Sequence, residues 1–192
     1  MDLDWTTQLA EQLDWHWQNQ LRPRLEGLTG DEYFWEPVPD CWGVRPRADG
    51  GPGTGPFTID FAFPTPEPAP VTTIAWRLAH VIVGVLGMRA ASHFGGPAMS
   101  YDTFRYAGSA DEALDQLDQA YESWSGGVRK LSATGLNRPC GPAEGPFADY
   151  PLGALVLHIN REVIHHGAEI ALLRDLYLRE ALRRSIAVDP SR

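Results

Sequence analysis

The chain has 192 residues, 43% of them apolar, with seven tryptophans, which suits a single domain (1–192) that buries a sizeable core. Its 25 acidic residues against 16 Lys and Arg leave a net charge of −9. With no basic stripe to neutralise phosphates, nucleic acid is not an expected partner. No apolar run approaches the roughly eighteen residues of a membrane span, and the acidic, amphipathic N-terminus does not read as a secretory signal. A cytoplasmic protein without a membrane partner is therefore expected. Cys41 and Cys140 stand apart among Pro and Gly, so free thiols are expected in preference to a disulfide.

Trp5, Leu9, Leu13, Trp17 and Leu21 recur every four residues, which predicts a first amphipathic helix from Asp2 to about Gly27, kinked or ended by Pro23. His16 lies beside that stripe without a ligand-spaced partner other than Asp14 and Gln20, and reads as a half-buried structural histidine. Residues 28–70 look irregular. Thr29 and Glu32 have the spacing of a capping box, Gly and Pro crowd from Pro37 to Pro70, and Phe57 to Phe63 alternate like a short strand or an extended strip. A connection as long as the one at about 33–70 is often a lid or binding loop.

Thr72 or Thr73 can cap a second helix, Ile74 to about Phe94, closed by Gly95 and Gly96. Its seam, Trp76, His80, Val83, Gly87 and Ala90, carries one polar residue, His80, with Gly84 leaving space beside the ring for a ligand. Ser109 and Glu112 form a capping box for a third helix whose stripe is Leu114, Leu117, Tyr121, Trp124, Val128 and Leu131, with Gly126–Gly127 as a weak point or a place of close packing. Ser132 to Tyr150 form a second Gly/Pro-rich loop. Pro151 opens a fourth helix running to about Arg184, and 189–192 form a frayed tail. There is no convincing sheet. Four such helices, each with one apolar stripe, predict an all-α four-helix bundle with long loops between helices 1 and 2 and between helices 3 and 4.

The fourth helix carries the chemistry. Its stripe runs Leu152, Leu155, Ile159, Glu162, His166, Glu169, Leu173 and Leu176, apolar at both ends and polar in the middle, and buried polar groups must be met by partners. Glu162 and His166 are one turn apart, as a shared metal requires. His80 is the other histidine on a clear seam. Two histidines and a carboxylate with an open position suit zinc with a bound water, or non-haem iron, and nickel or manganese fit the same donors. His165 points about 100° away from His166 and ranks below it. His158 would need a different rotation of the helix. Glu169 suits the orienting partner of His166. The metal-free alternative is a buried salt-bridge network involving Arg161, Arg174 or Arg77.

The run Thr72-Thr-Ile-Ala-Trp-Arg-Leu-Ala-His80, together with Glu162-x-x-x-His166 followed by Arg174-Asp175, resembles the DinB/YfiT-like superfamily, in its actinobacterial branch related to mycothiol-dependent maleylpyruvate isomerase. The resemblance spans nearly the whole chain. It implies an up-down-down-up order of the four helices, a homodimer, and a metal held by His80, Glu162 and His166; many members have His-x-x-x-His where this chain has Glu162. It further implies a low-molecular-weight thiol such as mycothiol as cofactor, a small electrophile as substrate, and S-transferase or isomerase chemistry. The alternative of another class is a non-catalytic dimeric bundle that binds a metal or ligand. Hydrolysis by a zinc-bound hydroxide ranks lower, because no general base beyond Glu169 or His165 is evident.

Overall fold

The computed structural model describes residues 3–48 and 50–188; the expected helix start at Asp2 and the expected frayed tail at 189–192 lie outside them. The described residues are mostly helical, with one small sheet. Four long helices, α1 (residues 5–24), α2 (74–94), α3 (Ala110–Val128) and α4 (Leu152–Val188), pack around one hydrophobic cluster. Short helical segments at Gly30–Tyr33, Ala133–Asn137 and Pro142–Phe147 lie between them.

The starts of these helices follow from local chemistry. Asp4 accepts from the backbone of Thr6 and Thr7 to open α1, Thr73 accepts from Trp76 to open α2, and Ser109 accepts from Glu112 to open α3, each satisfying N–H groups that have no partner within the helix. Leu9, Leu13, Trp17 and Leu21 are buried as the four-residue spacing requires, but Trp5 is 61% exposed because it precedes the first turn that meets the core. α1 widens to π geometry over Trp17–Leu21 and ends at Arg24, one residue after Pro23. α2 does the same over Val81–Gly87, directly after His80. Such wide turns often mark functional positions.

By length and composition α2 is apolar enough to cross a membrane, contrary to the expectation that no apolar run approaches that length. Of its most apolar stretch, 67% is buried inside the structure, so its hydrophobicity is that of a core helix. It packs closely on α3: a Cβ at Gly127 would collide with the Phe94 ring. α1 is tied to α3 by the stacked rings of Trp17 and Tyr121, 3.9 Å between centroids, and by the paired bonds from Arg22 to Asp118.

A sheet is present after all. Val44–Pro46 (β1) pairs antiparallel with Phe57–Ile59 (β2), Val44 facing Ile59. The alternation in 57–63 thus forms a strand only over its first three residues, where a partner lies alongside. The sheet is fastened to the start of α2, since Trp42 accepts from Thr73 and Trp76 donates its indole N–H to the Asp60 carbonyl at 2.7 Å. Both cysteines are free and buried.

On α4 the buried stripe is Leu152, Leu155, Val156, Ile159, Asn160, Val163, His166 and Ile170. Glu162 and Glu169 sit at its edge, and Leu176 is 46% exposed because this helix continues past the packed core. Asn160 is buried and donates to the Leu9 carbonyl at 2.9 Å. The capping box at Thr29 is present, and its Glu32 has a second role: Oε1 receives Arg174 Nε at 3.0 Å while Arg174 Nη1 donates to the carbonyls of Arg24 and Glu26.

Two stability predictions follow from these buried groups. Arg174→Ala leaves the Glu32 carboxylate, whose side chain is 3% exposed, without its counter-ion, and should cost about 3–5 kcal/mol in urea unfolding, with part of the loss recovered by adding Glu32→Gln. His16 packs against Gly167 with Nε2 buried and unpartnered, and burial lowers its pKa from 6.5. The unfolded chain then takes up its proton first as the pH falls, so stability is full above 6.5 and declines below it. His16→Leu should flatten that decline, as followed by thermal melts between about pH 7 and 5.

Candidate metal centre

α2 and α4 bring His80 and His166 together edge to face, with ring centroids 4.8 Å apart. His166 is buried. Its Nδ1 lies 2.7 Å from Glu169 Oε2, and its Nε2 lies 3.6 Å from Glu162 Oε2. The shorter contact places the ring proton on Nδ1, donated to Glu169. The Nε2 lone pair then faces a carboxylate, two acceptors that a shared cation or a bridging water reconciles. Burial, the largest influence, pulls the His166 pKa down against the opposing pull of Glu169, so a proton is poorly placed to serve as that cation. The donor chemistry therefore fits a metal ion.

His80 is prepared in the same way. Its Nδ1 is 2.7 Å from the Tyr101 hydroxyl, and no hydrogen bond reaches its Nε2 among the described residues. Burial first, then the neighbouring His166, Arg77 and Arg89, lower its pKa to about 3, so it stays neutral, the form that ligates metals. Burial holds the Tyr101 pKa up at about 12, so its neutral hydroxyl oxygen accepts from Nδ1–H and leaves the Nε2 lone pair for a metal. The indole of Trp76 stacks on His80 at 5.3 Å, and Phe61 stacks on Tyr101 at 5.5 Å. The connection at 33–70 thus reaches the centre through Phe61 and through Asp60, which holds Trp76.

Gly84 has a different use from the one its spacing suggested. The space beside the His80 ring is taken by Tyr101: a Cβ at Gly84 would collide with the Tyr101 hydroxyl and come within 3.2 Å of His80 Nδ1. Tyr101 escaped the sequence reading because it lies in an irregular loop at no helical spacing from His80; Gly84 was the one local sign that something approaches there.

The remaining neighbours form ion pairs. Arg77 Nε is 3.0 Å from Glu169 Oε2, although its N–H is not aimed at that oxygen, and Nη1 is 3.4 Å from His166 Nδ1. Arg161 and His158 each approach Glu162 Oε1 at 3.5 Å. Of the arginines weighed for a metal-free network, Arg77 pairs with Glu169, Arg161 with Glu162, and Arg174 with Glu32 instead. His165 is exposed, with Nε2 3.5 Å from Glu169 Oε1. Among the described residues, His165, His166 and Glu169 form a donor set whose ligand atoms lie within 4.8 Å of one another, a group that His80 and Glu162 do not join; it shares His166 with the expected triad.

The bond from Tyr101 to His80 can be tested without any metal. Tyr101→Phe should shift the tautomer equilibrium of His80 in the ¹⁵N spectrum of chelator-treated protein. Gly84→Ala should produce the same shift and cost about 1–3 kcal/mol of stability by overpacking.

No curated protein and no solved structure matches the chain. A family model does, over residues 12–170, a span that includes His80, Tyr101, Glu162, His166 and Glu169. By that match the chain belongs to the DinB superfamily.

Proposed function

We propose that the protein is a divalent-metal-dependent enzyme whose ion is held by His80, Glu162 and His166, and that it is an S-transferase or isomerase using a low-molecular-weight thiol such as mycothiol on a small electrophile. One observation carries this reading: both Nδ1 atoms are engaged, by Tyr101 and Glu169, while Nε2 of His166 faces the Glu162 carboxylate at 3.6 Å. An ion held by His80, Glu162 and His166 would supply Lewis acidity and lower the pKa of a thiol beside it. Zinc is the first choice, and nickel, iron and manganese accept the same donors.

The chain's own residues supply orientation. Glu169 and Tyr101 hold the two imidazoles in one tautomer and one rotamer. Arg77 compensates the charge of Glu169, and Trp76 covers one face of His80. The same proposal takes 1–192 as one domain with the four helices in up-down-down-up order, working in the cytoplasm as a homodimer without nucleic-acid or membrane partners. The exposed pairs Leu172/Leu176 and Leu178/Leu182, each one turn apart on the second half of α4, offer two apolar strips for a second copy.

The compactness of His165, His166 and Glu169 favours a second reading, in which His165 and Glu169 replace His80 and Glu162. Metal content of untagged protein, measured beside His80→Ala, His165→Ala and His166→Ala, separates the two. Near-stoichiometric metal should be lost in His80→Ala and His166→Ala and kept in His165→Ala. The opposite behaviour of His80→Ala and His165→Ala would move the site to the second set, and a wild type that takes up no metal would overturn both. Tyr101→Phe should weaken metal binding by about 10–100-fold. Metal-loaded protein given mycothiol and a panel of electrophiles should show conjugation or isomerisation that stops on chelation. Its absence would leave the non-catalytic metal- or ligand-binding protein as the better description.

A further inference from the structure

A cavity of about 640 Å³ opens between the Pro142–Phe147 segment and the first turns of α4. Its body is apolar: Pro146, Phe147, Tyr150, Ala154 and Leu155 line it. Phe147 and Tyr150 are 60% and 55% exposed and meet edge to face at 5.6 Å, so two aromatic rings stand at the opening with surface left for a guest. A volume of this size and a mainly apolar lining are those of a small-molecule site.

The wall carries two guanidinium groups, Arg89 and Arg161, one imidazole, His158, and one carboxylate, Glu144. That carboxylate is already committed: His93 Nε2 lies 2.9 Å from Oε1, Arg89 Nη2 lies 3.5 Å from Oε2, and the side chain is 8% exposed. It fastens the segment to α2 and presents no free anion to a guest. Arg161 is different. One of its N–H groups reaches His158 Nδ1 at 2.6 Å, its Nε approaches Glu162 at 3.5 Å, and the side chain is 69% exposed. Of five donors, several remain free at the cavity wall. In a chain of net charge −9, a concave apolar surface edged by arginine is set against the overall charge, and the fork of a guanidinium matches a carboxylate with two parallel bonds.

We infer that this cavity binds a small amphipathic anion, a carboxylate carrying an aryl or alkyl body, with the body between Phe147, Tyr150 and Leu155 and the carboxylate on Arg161. Arg161 and His158 both touch Glu162, so the anionic head lies one side chain from a candidate metal ligand. Taking this ligand as the enzyme's substrate rests on the metal-centre reading; the binding itself does not.

The full-length protein, chelator-treated and metal-loaded in parallel, is titrated by calorimetry with 4-phenylbutyrate, 4-phenylbutanol and 4-phenylbutylamine. The carboxylate should bind at least about tenfold more tightly than the alcohol or the amine. Arg161→Ala should remove that preference while alcohol binding persists, and Phe147→Ala should weaken carboxylate and alcohol alike. Both side chains are exposed enough for these variants to fold, which circular dichroism checks. No saturable binding, equal binding of the three compounds, or binding unchanged in both variants would overturn the inference. Because the chelator-treated arm needs no metal, a failed metal titration leaves this result standing, and the reverse also holds.

Discussion

An imidazole buried between two helices must have both ring nitrogens met, and His166 is such a group. The cost of leaving one unmet in a packed interior is on the order of 1–3 kcal/mol. Nδ1 is met by Glu169, which in turn needs Arg77; Nε2 is turned towards Glu162, which is approached on its other oxygen by His158 and Arg161. Much of the polar chemistry on this face of α4 can be traced outwards from that ring. The His80 ring completes the arrangement from α2, with Tyr101 doing for its Nδ1 what Glu169 does for His166.

This arrangement places demands on the chain far from α4. Tyr101 can approach His80 only because residue 84 has no Cβ, and its backbone is held by Tyr106, whose hydroxyl donates to the Tyr101 carbonyl at 2.7 Å. Trp76 stacks on His80 while its N–H is held by Asp60, and Asp60 also accepts from Gly43 and Arg45 at 2.8 Å. The connection at 33–70 is therefore no loose excursion between helices. It forms a small sheet and a set of polar ties that hold the start of α2 beside the centre.

The second Gly/Pro-rich connection works in a comparable way on the opposite side of Glu162. Glu144 is drawn onto α2 by Arg89 and His93, and the segment that carries it roofs an apolar cavity whose arginine also contacts Glu162. Each long connection thus ends on the face that holds the donor residues. A binding site at such a place takes its specificity from loops and its rigidity from helices.

Periodicity in the sequence determined the long helices, because an apolar residue every three or four positions can be buried only as one face of a helix. The capping residues Thr73, Ser109 and Thr29 marked where helical segments begin, since unpaired N–H groups need a nearby acceptor. Helical spacing also put Glu162, His166 and Glu169 on one side of α4. Spacing within a helix says nothing about what arrives from another element. That Tyr101 fills the room beside Gly84, that Arg174 neutralises Glu32 from 142 residues away, and that Val44–Pro46 lies beside Phe57–Ile59 were decided by tertiary packing. So was the rotation of α4 that leaves Glu162 and Glu169 at the edge of the buried stripe. These contacts join segments with no common period, and only the folded chain brings them within reach of one another.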